Sequence, residues 1–297
     1  MTGSPSISVI IPTLNAESEI SALLSALEAQ TLKPREILVV DSSSEDGTAA
    51  KVLNHPEVEL IEIDRADFNH GLTRDMALRR TSGDIVCFLT QDAFPASDGY
   101  IENLIAPMVM DSRIALASGR QLPKEDARRF EHLIREFNYP DEPSVRSGED
   151  LDRFGIKTFF ASDVCSAYRR DAYLACGGFP RVETNEDMLM AARFVAAGLK
   201  VAYEPSAMVY HSHNLTPAQQ FHRNRAVGRF LEEHGGDLMG VGELGEGGRL
   251  VRSVSTQLLK EGRFGELLVF GIDCAARLAG NRKGRTEAKR IMKGAKA

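Results

Sequence analysis

The chain encodes an α/β protein built on a mostly parallel sheet with helices on both faces. Three observations carry that reading. Apolar, β-branched runs alternate with helical stripes through the first 120 residues. The runs are continuous rather than period-two, as strands covered on both faces require. The composition, 43% hydrophobic and 26% charged over 297 residues, suits one large domain with an appendage.

The elements follow in order. Residues 7–11 form a first strand, ended by Pro12. Residues 16–30 place Ile20, Leu23, Leu24 and Leu27 on one helical face. Residues 36–41 are a second strand, 47–53 a short helix and 58–63 a third strand. Helix 71–81 leads into a buried strand, 84–90, and helix 101–110 precedes strand 114–118. The pattern then loosens. Residues 124–137 read as helix. Residues 138–155, polar and broken by Pro140, Pro143 and Gly148, read as a mobile loop. Residues 158–167 read as extended and 186–197 as a strong helix. Two short strands, 200–203 and 207–211, come next. Helices follow Pro217, separated by the glycine-rich 235–248. The last of them, 264–279, has a stripe of Phe264, Leu267, Leu268, Gly271, Ile272, Ala275 and Leu278.

Charge is unevenly spread. The formal net charge is −6, so no global basic field draws the chain to nucleic acid. Residues 277–297 hold eight basic residues and one acid, a net +7, which leaves −13 on residues 1–276. An apolar stripe followed by a basic cluster is the composition of a peripheral membrane contact. A helix that docks on the catalytic domain, or on a second subunit of a homodimer, needs the same periodicity. Cys87, Cys165, Cys176 and Cys274 form no CxxC pair and read as buried thiols of a reducing compartment. The N-terminal residues are unlike a signal peptide, and no run reaches the roughly eighteen apolar residues that span a bilayer. The expected location is cytoplasmic, with a peripheral place on the inner face of the membrane open.

Three strands end in polar residues, where a parallel sheet builds its ligand site. The ends are Ile11-Pro12-Thr13-Leu14-Asn15, Val40-Asp41-Ser42-Ser43-Ser44 and Leu89-Thr90-Gln91-Asp92-Ala93. One such Asp alone is commonly a helix cap or turn residue. The three in this order resemble the family 2 glycosyltransferases, which have the GT-A fold, and the likeness runs from about residue 6 to 214. The resemblance implies that Pro12, Thr13, Asn15, Asp41, Ser43, Arg74 and Gln91 bind a donor nucleotide. A carboxylate such as Asp41 can accept from a pyrimidine imide N–H. No GxGxxG follows the first strand, against a dinucleotide-binding fold.

Phe68-Asn69-His70-Gly71-Leu72-Thr73-Arg74-Asp75 is similar to a segment of bacterial rhamnosyltransferases in that family, with Asp75 where Asn is usual. Arg74 is then a cation near the diphosphate or an anchor for a carboxylate. Thr90-Gln91-Asp92 stands where the family has DxD. With one carboxylate retained, Asp92 and His211 are the implied ligands of Mg²⁺ or Mn²⁺, and His213 is an alternative ligand or an acceptor residue. Asn185-Glu186-Asp187 opens a helix and matches the family's ED motif, which makes Asp187 the implied general base. Acids at a helix start also complement its dipole. Asp163, Ser166, Glu186 and His213 are the acceptor-side candidates.

The resemblance therefore implies an inverting glycosyltransferase. Residues 1–214 would be the GT-A domain and 215–297 a helical extension. Its donor would be a nucleoside-diphosphate sugar, foremost dTDP-L-rhamnose, with UDP- or GDP-sugars as alternatives. Its acceptor would be a saccharide or lipid-linked saccharide in cell-surface polysaccharide synthesis. Two rivals stand beside it. A nucleotidyltransferase would want a basic glycine-rich loop near the first strand, and 12–19 has none. A non-catalytic sugar- or nucleotide-binding module has no need of Asp92, Asp187 and His211.

Overall fold

Continuous apolar runs need cover on both faces, and the fold supplies it. The computed structural model describes residues 4–238 and 245–294. Met1 to Gly3, the middle of the glycine-rich stretch and Lys296 of the basic tail lie outside the described residues. The strands are β1 (Ile7–Thr13), β2 (Glu36–Asp41), β3 (Val58–Glu62), β4 (Ile85–Leu89), β5 (Phe94–Pro95), β6 (Ile114–Leu122), β7 (Ser144–Arg146), β8 (Cys165–Arg169) and β9 (Lys200–Tyr210). The helices are α1 (Ile20–Glu28), α2 (Thr48–Val52), α3 (His70–Arg80), α4 (Tyr100–Met110), α5 (Arg129–Asn138), α6 (Leu151–Phe154), α7 (Arg170–Ala175), α8 (Glu186–Ala196), α9 (Pro217–Glu233), α10 (Glu246–Lys260) and α11 (Phe264–Gly294).

The sheet runs β3-β2-β1-β4-β8-β6-β9-β5, with β7 also on β9. β1 to β4 are parallel neighbours, as expected. Alternate side chains face opposite layers. Ile7, Val9 and Ile11 pack with Leu23, Leu24 and Leu27 of α1 and Ile101 and Leu104 of α4. Ile10, Leu38, Val40 and Phe88 pack with Ala77 and Leu78 of α3 and Leu189 and Met190 of α8.

The second half is mixed. β8 enters antiparallel between β4 and β6, and β6 runs parallel to β9. Residues 200–203 and 207–211 are one strand rather than two. Its register slips opposite Gly119, where a Cβ would overlap the Ala207 carbonyl. The expected loop at 138–155 contains β7, a one-turn helix and α6. The Tyr203 hydroxyl donates to the Pro140 carbonyl at 2.7 Å, and buried Arg146 donates to the Phe160 carbonyl at 2.7 Å. The segment expected to be extended holds a helical turn at Gly155–Phe159 before β8. Burial pushes the Cys87 and Cys165 thiols up to about 12, while Cys176 and Cys274 are half-buried.

The last helix runs on to Gly294, well past residue 279. α9 begins at a reciprocal cap, Thr216 with Gln219, and lies along α11. A Cβ at Gly228, Gly280 or Gly284 would overlap a backbone carbonyl of the facing helix. Glycine at these three positions lets the two backbones touch. Ion pairs flank the contact: Arg225 to Glu287 at 2.7 Å and Lys289 to Glu232 at 3.6 Å. Phe270 packs with Phe130 of α5 and Val254 and Leu258 of α10. The buried face of α11 is therefore Phe270, Asp273, Gly280, Gly284 and Ala288. Most of the expected stripe lies on the opposite side, with Phe264, Leu268, Ile272 and Leu278 exposed at 68, 69, 48 and 52%.

Gly284→Leu should force α9 and α11 apart and lower stability by about 1–3 kcal/mol. A thermal melt unchanged from the parent would refute close backbone contact at this position.

Candidate active site

β1, β2 and β4 end side by side, and their polar ends wall a cavity of about 320 Å³. Pro12, Thr13, Leu14, Ser42, Thr90, Gln91 and Asp92 form one side, and Arg65, Phe68, His70 and Arg74 the other. The strand ends are cross-laced. The Gln91 amide accepts from Leu14 N–H at 2.7 Å and donates to the Leu14 carbonyl at 3.1 Å. Asn15 donates its N–H to Ser44 Oγ at 2.8 Å and accepts from Glu45 N–H at 2.9 Å. Asn15 and Ser43 adopt left-handed φ values of +51° and +56°, a backbone cost held in place by this lacing.

Asp41 stands behind the cavity wall. It is fully buried, and its carboxylate accepts from Thr13 Oγ1 at 2.9 Å and from Ser44 N–H at 2.8 Å and Oγ at 2.5 Å. It pins two cavity walls and does not line the cavity itself. Ser43 is also turned away, donating to the Ile63 carbonyl at 2.8 Å, and Ser42 takes the lining position.

Asp92, His211 and His213 bring one ligand atom each within 4.8 Å of one another. His213 Nε2 lies 3.2 Å and His211 Nε2 3.5 Å from Asp92 Oδ2. His211 Nδ1 is 2.9 Å from Gln121 Oε1. That amide oxygen accepts only, so Nδ1 carries the proton and the Nε2 lone pair faces Asp92. Burial lowers the proton affinity of both imidazoles, that of His213 to about 4, where His211 adds to the effect. Burial opposes the Asp92 charge, but when His211 and His213 are protonated their hydrogen bond and charge outweigh it and hold the carboxylate well below its usual range. One carboxylate and two neutral imidazoles, oriented from behind, fit a divalent cation.

A second polar cluster lies behind Arg74. Arg74 Nη1 donates to Glu186 Oε1 at 2.9 Å, and its Nε lies 3.8 Å from Asp163 Oδ2. Both Nε and Oδ2 lack a hydrogen-bond partner. Asp163 Oδ1 accepts from Ser166 Oγ and Tyr168 Oη, each at 2.7 Å. Asp187, half-buried, accepts from Asp163 N–H at 3.2 Å and from Met188 N–H at 2.7 Å. Burial, opposed by Arg74, pushes Asp163 up to about 6. Burial and the charges of Asp163 and Glu186 raise Asp187 well above the usual carboxylate range. The local sequence builds this. Asn69 caps α3 through Leu72 N–H and donates to the Val182 carbonyl at 2.9 Å, and Gly71 leaves room for the Pro180 carbonyl. Asn185, at φ +62°, turns the chain into α8.

Comparison with known proteins fits this geometry. Residues 8–176 match the pattern of glycosyl transferase family 2. The chain belongs to that family. It is similar to the O-antigen chain rhamnosyltransferase RfbN of Salmonella typhimurium, 41% identical over 87% of this chain and 83% of the relative. It is also similar to the O-antigen chain rhamnosyltransferase WbaN of Salmonella anatum, 40% identical over 88% and 83%. Among solved structures, the mannosyltransferase PcManGT from Pyrobaculum calidifontis, in complex with GDP-Man and Mn²⁺, shares the fold. Its TM-score is 0.65 at 18% identity, over 95% of this chain and 88% of that one.

Within this family 2 glycosyltransferase, Arg74 lines the strand-end cavity and also bonds Glu186 behind it. Ser166 is wholly buried and Asp163 and Glu186 nearly so, their bonds spent on one another and on Arg74. Burial leaves the Ser166 hydroxyl no surface for an acceptor sugar. Asp75 accepts from Tyr173 Oη at 2.9 Å and Arg79 Nε at 2.8 Å, a bracing part. Gln121 is a site residue that the motifs do not mark. Strand β6 extends past residue 118, and that extension brings Gln121 beside His211.

Arg74→Met should cost about 3–5 kcal/mol, because it strands buried carboxylates without their cation. A carboxyl whose affinity for protons is raised on folding stabilises at low pH and loses that stability as pH rises through its folded value. The loss should therefore be larger at pH 8 than at pH 5, where Asp163 is protonated. Urea melts showing equal losses at both would disprove the cluster.

Proposed function

We propose that the protein is an inverting rhamnosyltransferase. It moves L-rhamnose from dTDP-L-rhamnose to a hydroxyl of a lipid-linked saccharide. The observation that carries the reading is the Asp92–His211–His213 donor set at the edge of the strand-end cavity. The names of the 40–41% identical relatives support the sugar.

Pro12, Thr13 and Gln91 hold the nucleotide against the strand ends, and Asp41 fixes Thr13 from behind. Asp92, His211 and His213 would hold a divalent cation, Mn²⁺ or Mg²⁺, which when bound would supply positive charge to the leaving diphosphate. Asp187 takes the proton of the acceptor hydroxyl, a task for which its raised proton affinity suits it. The hydroxyl oxygen bonds to the anomeric carbon from the face opposite the diphosphate. The carbon–oxygen bond to the diphosphate breaks, and its electron pair leaves with the nucleoside diphosphate. One displacement inverts the centre, with no covalent sugar–enzyme intermediate.

The exposed side of α11 meets an anionic membrane surface. At about 100° per residue, Phe264, Leu268, Ile272 and Leu278 share one side with Arg282, Arg290 and Lys293, all exposed. An apolar half followed by a basic half complements acyl chains and anionic head groups. No described helix is long and apolar enough to cross a membrane.

Asp187→Asn should leave dTDP-L-rhamnose binding within a few-fold and lower turnover by about 100-fold or more. Unchanged turnover removes Asp187 from the mechanism. Gln121→Leu should weaken Mn²⁺ binding by about 10- to 100-fold. A titration followed by Mn²⁺ paramagnetic resonance reads this, and equal affinities would dissociate His211 from the cation. Phosphatidylglycerol vesicles should sediment the full chain at low salt and release it at high salt. A variant with Ser at positions 264, 268 and 272 should stay in the supernatant, and co-sedimentation equal to the parent would rule out this face.

A further inference from the structure

A second cavity, of about 220 Å³, opens on the far side of His213 and shares no lining residue with the strand-end cavity. Three helices each send one arginine to it: Arg135 from α5, Arg223 from α9 and Arg277 from α11. Among the described residues one carboxylate, Glu131, lines it. Arg277 is answered by Asp273 at 2.6 Å and lies 3.6 Å from Glu131. Arg135 gives one amino group to the Gln121 carbonyl oxygen, and its Nε is buried without a partner. Arg223 forms no ion pair among the described residues, and burial together with Arg277 and Arg135 lowers its proton affinity. Even with Asp273 counted, positive charge is in excess. Like charges brought to one cavity repel each other unless an anion joins them.

We propose that this cavity binds the diphosphate ester through which the acceptor saccharide is joined to its lipid. The inference rests on the reading of transfer to a lipid-linked acceptor and deepens it. Guanidinium groups bind phosphate oxygens in bidentate pairs, and three of them suit a group with more than one negative charge. The volume fits an anionic head group rather than a whole nucleotide sugar. The nucleotide has its own cavity on the other side of the Asp92–His211–His213 set. His213 lines this cavity as well, so an anion there lies beside the reacting centre. Arg277 projects from α11, whose outer side is the apolar stripe.

The test is calorimetric titration of the full chain with geranyl diphosphate, in EDTA so that no cation can hold a diphosphate at Asp92. The parent should bind, geraniol should not, and inorganic diphosphate should compete with the ester. Arg223→Gln should weaken binding about tenfold or more, and Arg223→Lys less. Both variants should bind dTDP with Mn²⁺ as the parent does. No binding, an affinity unaltered by Arg223→Gln, or binding of inorganic diphosphate with the ester excluded would each overturn the proposal. Binding of dTDP-L-rhamnose by the same preparations with Mn²⁺ tests the transferase reading separately.

Discussion

Arg74 is the cation bonded into a cluster of three carboxylates, Asp163 before β8 and Glu186 and Asp187 at the start of α8. It is nearly fully buried on α3, bonded to Glu186 at the start of α8 and close to Asp163, which precedes β8. Removing two charges from water is costly, and a guanidinium repays that only if its donors are met. Here one donor is met and one is not, so the cluster is held but not saturated. Burial raises the proton affinity of Asp163, with Arg74 opposing it, and burial with the charges of Asp163 and Glu186 raises that of Asp187.

The rest of the site follows from what the sheet must do at its edge. Parallel strands end together, and their exposed polar ends make one wall of a cavity. The wall is stiffened by bonds between loops, such as Gln91 to Leu14 and Asp41 to Thr13. The residues that could hold a cation come from both halves of the sheet. Asp92 follows β4, while His211 and His213 follow β9. β6 lies beside β9 and orients His211 through Gln121.

The helical appendage uses its two faces differently. On one, glycines bring α11 into backbone contact with α9. On the other, apolar and then basic residues are left facing outward. The inner face also carries Arg277, which bonds Asp273 at 2.6 Å and lies 3.6 Å from Glu131 of α5.

Local pattern alone was enough for β1 to β4 with α1, because the strands are continuous apolar runs, as burial on both faces requires, and α1 carries a one-sided apolar stripe. Asp187 at the start of α8 and Asp92 at a strand end were legible for the same reason: both stand where an element changes type. Other features depended on partners far along the chain. The bond from Thr13 to Asp41, 28 residues away, comes only with the parallel pairing of β1 and β2. Gln121 meets His211 across 90 residues, through a parallel pairing of β6 and β9 that no local period encodes. The loop at 138–155 was polar enough to look mobile, and only its pairing with β9 made it a strand and a turn. The last helix shows the limit most clearly. A 3.6-residue apolar period states that one face seeks cover, but not which cover. Three glycines decided it, because backbone contact at Gly228, Gly280 and Gly284 brings helices closer than side chains allow, and turns the apolar stripe outward.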